Sequence, residues 1–148
     1  MQIKYTIPLV AMTKKNHHQI ITIYDKRTCK KKLTLVPSKQ YKQFEADCGW
    51  FIKPIPDKPI DTPVNVKYLF YMDTMRRVDE LNLCEGMDDI LVNVGVLKDD
   101  NCKIVVSHDG TRVYYDKENP RIEVEITDTE PTFFKPEVLK KNRKKVVS

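Results

Sequence analysis

The segment RRVDELNLCEGMDDILVNVGVLKDDN, residues 76–101, decides the fold because it combines a helical pattern with an unusual concentration of acid. At about 100° per residue, its large apolar side chains fall on one side of a helical wheel. They are Leu83, Cys84, Met87, Ile90, Leu91 and Val94. Asp79 has the side chain of a helix N-cap, and Gly95 supplies the left-handed residue that commonly follows a helix end. The segment predicts an amphipathic helix between these two residues.

The other side of this helix is polar, because Asn82, Glu85, Asp89 and Asn93 share it. The 22 positions 79–100 hold seven of the 21 carboxylates of the chain and one base, whereas the remainder carries 25 bases against 14 acids. Acid embedded in a cationic protein suits a metal ion held against a polyanion such as nucleic acid. A well-solvated helix face is the ordinary alternative.

The chain before this segment is rich in strand-forming residues. QIKYTIPLV (2–10) and QIITIYD (19–25) have the β-branched and aromatic content of strands, and together they predict a first hairpin with a long basic loop. Next, SKQYKQFEADCGWF predicts a helix capped by Ser38. Its apolar side chains recur at helical spacing at Tyr41, Phe44, Cys48, Phe51 and Ile52.

The segments after this helix predict further strands. The proline-rich stretch 53–63 is incompatible with regular structure and leads into the strand VNVKYLFYM, residues 64–72. CKIVVSHDGTRVYYD (102–116) predicts two strands joined as a hairpin at Asp109-Gly110.

Length and composition point to one domain. The chain has 148 residues, of which 41% are hydrophobic, enough for one sizeable core. RIEVEIT (121–127) alternates apolar and acidic side chains and adds a closing strand. We therefore predict an α+β fold, a small mixed sheet with two main helices, over residues 1–135. A basic tail, residues 136–148, follows.

Cysteine spacing and hydropathy bear on the compartment. Cys29, Cys48, Cys84 and Cys102 stand far apart without a CxxC pair, which favours free thiols in a reducing cytoplasm over a disulfide framework. The apolar runs are far shorter than the roughly 20 residues of a membrane helix, and the first residues lack a plausible cleavage site. We expect a cytoplasmic protein that binds no membrane. Its formal charge of +5 favours an anionic partner.

Two groups of acids are candidates for chemistry. Asp79, Glu85 and Asp89 lie on the helix, and Asp99 and Asp100 lie in the turn after it. Mg²⁺ takes oxygen ligands, usually a few carboxylates with substrate phosphate and water. Carboxylates one helical turn apart repel each other unless a cation lies between them. Helix and turn together could hold one ion.

Four stretches of the chain carry a resemblance to the RusA family of phage and prophage Holliday-junction resolvases. IPLVAMTKKNHHQI is similar to the family's first strand and basic loop, VPSKQYKQFEAD to its first helix, and ENPRIEVEI to its closing strand. VDELNLCEGMDDILVNVGVLKDDN resembles the central signature without gaps. That signature is an Asp-x-Asp-Asn start, a helix containing Asp-Ala-Leu, a glycine and a terminal Asp-Asp.

The resemblance assigns roles to individual residues. Asp79 takes the place of the family's first metal-binding aspartate, and Asn82 that of its asparagine. Asp89 takes the place of its helical aspartate, and Asp100 that of the closing aspartate.

Two positions depart from the family pattern. Leu81 stands where the family usually has a second catalytic aspartate, and Glu85 stands where it usually has a lysine. Either Glu80 or Glu85 then supplies the missing oxygen, or the site has lost its ion. We favour Glu85, because it shares a helical face with Asn82 and Asp89.

The resemblance implies a Mg²⁺-dependent endonuclease that acts on Holliday junctions or other branched DNA as a homodimer, by paired nicks. Mn²⁺ is a possible substitute, and no small-molecule cofactor is expected. Asp79, Glu85 and Asp100 would be the metal ligands, and Asp89 or Asp99 a further ligand or the group that orients a bound water. Such a protein would be encoded by a phage or prophage and act in the cytoplasm of a bacterial host.

Basic residues outside the acidic window are candidates for contacts with DNA phosphates. They are Lys14, Lys15, Arg76, Arg77, Lys140, Lys141 and Arg143. His17, His18 and His108 are possible ligands or bases, but no repeated spacing among them supports a zinc site.

Two other functions remain open on sequence grounds. The first is a junction-binding protein that keeps the fold and the charge but has lost hydrolysis through Leu81. The second is a phage structural or adaptor protein in which the acids only solvate a helix.

Overall fold

The structure is a computed structural model that describes residues 1–14 and 18–132. Within these ranges the chain forms seven strands and two helices. In order they are β1 Gln2–Ile7, β2 His18–Asp25, β3 Lys30–Pro37, α1 Lys39–Phe51, β4 Val64–Met72, α2 Glu80–Asn93, β5 Val105–Ser107, β6 Arg112–Tyr115 and β7 Arg121–Asp128.

The main sheet has five strands and is mixed. β7 lies between β1 and β4 and is antiparallel to both. β5 and β6 pair with β4 in the parallel direction. β2 and β3 form a separate two-stranded antiparallel sheet. This arrangement confirms the predicted α+β fold with a small mixed sheet and two helices.

The core lies between one face of the main sheet and the two helices. Alternate residues of β4 are buried, as the period of two along a strand requires. Tyr68 and Phe70 stack there with ring centroids 5.5 Å apart. The alternating strand β7 buries Ile122, Val124 and Ile126, as its sequence predicted.

The helix predictions are confirmed apart from one side chain. The Ser38 hydroxyl accepts a hydrogen bond from the Tyr41 amide at 3.1 Å and caps α1. Phe51, predicted to be buried, is instead 42% exposed. It is the last residue of α1 and lies at the edge of the buried stripe, so the following Ile52 enters the core in its place.

The predicted first hairpin is wrong. β1 pairs with β7, at the other end of the domain in sequence, and β2 pairs with the next strand, β3. Three consecutive lysines at the start of β3 hid its strand pattern in the sequence. The β2–β3 hairpin closes through a four-residue turn in which Cys29 has a positive φ of 55°.

The predicted hairpin at Asp109-Gly110 is also wrong. β5 and β6 both pair with the same edge of β4, one after the other and in the same direction. The turn between them therefore interrupts one edge and does not join two paired strands. Asn65 of β4 holds this turn: its side-chain oxygen accepts from the Asp109 amide at 2.7 Å and its amide group donates to the Asp109 carbonyl at 3.1 Å. Gly110 adopts a φ of +87° there.

Two sequence predictions lie outside the described residues. The basic tail, 136–148, and the domain boundary at residue 135 both lie beyond residue 132. Among the residues that are described, no helix is long and apolar enough to cross a membrane.

Candidate active site

Asp79 begins α2 as its N-cap, as the sequence predicted. One carboxylate oxygen accepts a hydrogen bond from the Leu81 amide at 3.1 Å, and the other accepts from the Asn82 side-chain amide at 3.2 Å. An anion at this end of a helix is stabilised by free backbone N–H groups and by the helix dipole. Asp79 therefore has a structural partner for each oxygen while its side chain stays exposed.

Asp89 and Asp100 meet in space although they come from different elements. Asp89 lies near the C-terminal end of α2 and is half-buried, whereas Asp100 lies in the turn that follows. Burial raises the pKa of Asp89, and a hydrogen bond with the Asp100 carboxyl raises it further. Two neighbouring carboxyl groups repel each other when both are ionised, unless a cation lies between them.

The turn after α2 brings Asp100 to this position. Gly95 takes a φ of +91°, and the amides of Val96 and Leu97 then fold back to the Leu91 carbonyl at 2.9 and 3.2 Å. Val96 and Leu97 are buried, which fixes the chain just before the acidic residues. The α2 C-terminus and its glycine thus determine where Asp100 lies.

Asp99 shapes the acidic turn itself. Its carboxylate accepts hydrogen bonds from the Asn101 side chain at 2.9 Å and from the Asp100 amide at 2.8 Å. Both bonds lower the pKa of Asp99, and the bond from Asn101 has the larger effect. Asp99 is accordingly an anion held by fixed donors.

Lys14 and Tyr41 lie beside the pair formed by Asp89 and Asp100. The ammonium group of Lys14 counteracts the rise in the Asp89 pKa, whereas nearby Glu85 adds to it. Tyr41 is buried, and a Cβ at Gly86 would come within 2.9 Å of its hydroxyl oxygen. Glycine at position 86 therefore lets α1 approach α2 closely at this point.

Distance along α2 separates the predicted ligands. Asp79 and Asp89 are ten residues apart, which corresponds to about 15 Å along a helix axis, so one ion cannot bind both. Across residues 1–14 and 18–132, no three His, Cys, Asp or Glu side chains form a group that could hold a metal ion. The ligand set of Asp79, Glu85 and Asp100 stays a prediction, and the pair that the structure brings together is Asp89 with Asp100.

Comparison with protein families identifies the chain. Residues 11–127 match the family described as Endodeoxyribonuclease RusA, a range that includes both helices and most of the main sheet but leaves out β1. The chain belongs to the RusA family. This confirms the resemblance seen in the sequence, and the family is one of endodeoxyribonucleases. No match was found among curated proteins.

This RusA protein departs from the family signature on its surface. Leu81, which the sequence resemblance matched to the family's second catalytic aspartate, is 75% exposed and lies in the first turn of α2. An exposed leucine contributes nothing to the core, so packing does not explain the replacement. Glu85, which the resemblance matched to a lysine of the family, is also exposed.

Three of the residues predicted to contact DNA lie in the described part of the chain. Lys14 lies close enough to Asp89 to affect its pKa. Arg76 and Arg77 are exposed in the loop between β4 and α2. Lys15, Lys140, Lys141 and Arg143 lie outside the described residues.

Sequence reasoning missed a buried polar network on the other side of α2. Asp88 is 6% exposed and accepts a hydrogen bond from the Tyr68 hydroxyl at 2.5 Å. Its other oxygen lies 2.7 Å from Nε2 of His108, whose ring stacks on Tyr68. On the helical wheel Asp88 falls between the apolar and the acidic sides, so the pattern gave no sign that it would be buried.

Proposed function

We propose that this protein is a metal-dependent endonuclease that hydrolyses phosphodiesters of Holliday junctions or other branched DNA. Family membership supports this proposal, together with the proximity of the Asp89 and Asp100 carboxyls, which raises the pKa of Asp89. The two neighbouring carboxyls give a cation a reason to bind between Asp89 and Asp100.

The donor chemistry of the pair fits Mg²⁺. Both groups are carboxyls, and Mg²⁺ is typically bound by one or two protein carboxylates, with water and substrate phosphate as the other ligands. A third protein ligand is therefore not required. Glu85, one helical turn before Asp89, is the nearest further carboxylate on the same face of α2. Mn²⁺, which also prefers oxygen ligands, is expected to substitute.

Each residue near the pair then has a distinct role. When bound, the ion would polarise the scissile phosphate and lower the pKa of an attacking water. Asp89 and Asp100 would hold it, and Lys14 would attract the phosphate that completes the shell. Asp99, held by Asn101, would keep the turn in shape so that Asp100 stays aimed at Asp89.

The substrate class follows from the family together with charge. Holliday-junction resolution needs two cuts related by symmetry, which a homodimer with two copies of this site would supply. Outside the acidic window the chain carries 11 more bases than acids, which suits a DNA substrate. We infer a phage or prophage protein acting in a bacterial cytoplasm.

Substitution of the two aspartates tests the proposal. Asp89→Asn and Asp100→Asn should each reduce Mg²⁺-dependent cleavage of a synthetic four-way junction at least about a hundredfold, because each removes charge from the ion site. Binding of the same junction in a chelator should stay intact. Glu118→Gln, which removes one negative charge in the turn after β6, is the matched control and should cleave like the parent. Parental cleavage by both aspartate variants would refute the metal site.

A separate substitution tests the role of Glu85. If Glu85 completes the ion's shell, Glu85→Gln should lower cleavage and raise the Mg²⁺ concentration needed for half-maximal rate by about tenfold. An unchanged Mg²⁺ requirement would remove Glu85 from the site and direct attention to Glu80.

A junction-binding protein without hydrolysis is the second candidate. The exposed Leu81 favours it, since a side chain that ligates no metal occupies the position of a catalytic aspartate. The parent would then bind junctions without cutting them in Mg²⁺ or Mn²⁺. A gain of cleavage in Leu81→Asp would identify this protein as a degraded nuclease.

A further inference from the structure

The β2–β3 hairpin stands apart from the core. Its strands pair only with each other among the described residues, and every side chain from Ile20 to Leu33 is exposed. Ile20 and Leu33 are 69% and 72% exposed. An isolated two-stranded hairpin is marginally stable in water. A segment of this kind is expected to gain contacts from a partner.

The end of this hairpin, residues 25–32 with the sequence DKRTCKKK and here called the basic tip, is strongly cationic. It carries five bases against one acid. The strand register pairs Lys30 with Asp25, Lys31 with Tyr24 and Lys32 with Ile23, so successive lysines face opposite sides of the hairpin. Within the described residues, the ion pairs are formed by other side chains. The bases of the basic tip are thus available to an anion on either face.

The C-terminal end of the hairpin leads directly to the helices that carry the candidate active site. Tyr41, four residues after β3, lies on α1 with its hydroxyl so near Gly86 of α2 that a Cβ there would come within 2.9 Å of it, and Asp89 lies three residues further along α2. Strands of eight residues extend about 27 Å, so the basic tip can reach roughly that far from the carboxylates.

We propose that the basic tip binds the phosphate backbone of a DNA arm whose scissile phosphate lies at Asp89 and Asp100. This inference rests on the proposed function and adds a second, distant contact to it. Duplex DNA presents one negative charge per about 1.7 Å of its axis, so a single arm offers several phosphates to the tip. A partner protein is disfavoured because the tip has five cations and no apolar side chain larger than that of Cys29.

The triple variant Lys30→Gln/Lys31→Gln/Lys32→Gln tests this contact. Binding to a labelled four-way junction and to a linear duplex is measured by fluorescence anisotropy in a chelator, at several salt concentrations. Affinity should fall at least about tenfold for both DNAs, and the slope of log K against log salt should shrink by about two to three, because each lost phosphate contact contributes about 0.9.

The matched control removes three lysines elsewhere. Lys4→Gln/Lys53→Gln/Lys117→Gln makes the same change in net charge at exposed positions outside the hairpin. It should keep nearly the parental affinity and slope. Equal losses in both triple variants would mean that only net charge matters and would overturn the proposal. So would a change of oligomeric state in the tip variant, measured by light scattering, since a second copy would then be the occupant.

The two proposals fail in different ways. If the parent binds DNA through the tip but cuts no junction in Mg²⁺, the nuclease proposal fails and the tip contact stands. If the parent cuts junctions while the tip variant binds with parental affinity and slope, the tip contact fails and the nuclease stands. A parent that binds no DNA at low salt overturns the tip contact.

Discussion

Asp88 and Asp89 are neighbours on α2, yet the fold gives them opposite surroundings. Asp88 points to the sheet, where Tyr68 and His108 supply hydrogen bonds to its oxygens. Asp89 points to the turn after the helix, where it meets another carboxyl at Asp100. A carboxylate surrounded by fixed donors stabilises the fold. A carboxylate that faces a second carboxylate raises the free energy of the folded state, unless a cation binds between them.

The largest expected difference between the two residues is in stability. Asp88→Ala should lower the free energy of unfolding by about 3 kcal/mol, because it leaves the Tyr68 hydroxyl and the His108 ring without their buried partner. Asp89→Ala, the matched control one residue away, should change it by no more than about 0.5 kcal/mol. Urea denaturation measures both. Equal losses in the two variants would contradict the division of roles.

Removing one donor from Asp88 should have a smaller effect. Tyr68→Phe keeps the ring stack with Phe70 but removes the hydroxyl hydrogen bond, at a cost of about 1.5 kcal/mol. The same denaturation experiment measures it. A cost close to zero would mean that the bond to His108 alone satisfies the carboxylate.

His108 should make stability depend on pH near neutrality. Its hydrogen bond to Asp88 raises its pKa above 6.5, against the opposing effect of burial, and the charges of Glu80 and Asp109 also raise it. The folded protein thus holds this proton more tightly than the unfolded chain. The stabilisation is complete below pH 6.5 and is lost as the pH rises through the folded-state pKa.

His108→Gln should therefore flatten the stability profile. Denaturation midpoints measured between pH 6 and pH 9 should fall with rising pH in the parent. They should fall less in the variant. A parallel decline in both proteins would assign the pH dependence to another group.

The smallest effect should come from the pair at the candidate metal site. The raised pKa of Asp89 means that its contribution to stability is full below its ordinary pKa of 3.8 and is lost as the pH rises through the folded-state value. At neutral pH in a chelator, Asp89→Asn should therefore raise the free energy of unfolding by about 0.5 kcal/mol. Added Mg²⁺ should stabilise the parent but not the variant, which thermal melting detects. Equal stabilisation of both would place the ion elsewhere.

The sequence was informative where one local rule determined the outcome. The helix cap at Asp79, the stop at Gly95 and the alternation in β7 each depend on a few adjacent residues, and each is found as predicted. The family signature belongs to the same class, because it lies within one continuous segment. Both hairpin predictions failed because strand pairing depends on residues distant in sequence, and β1 pairs with β7 across more than a hundred residues.

The sequence by itself determined the two helices, the apolar face of α2, the excess of acid in one window and membership of the RusA family. Only the tertiary structure decided that Asp89 lies beside Asp100, that Asp88 is buried with Tyr68 and His108, and that the basic hairpin stands free of the core. The physical reason is that a helical wheel gives the direction of a side chain around its axis. It does not give the partner found in that direction, which depends on how distant segments pack.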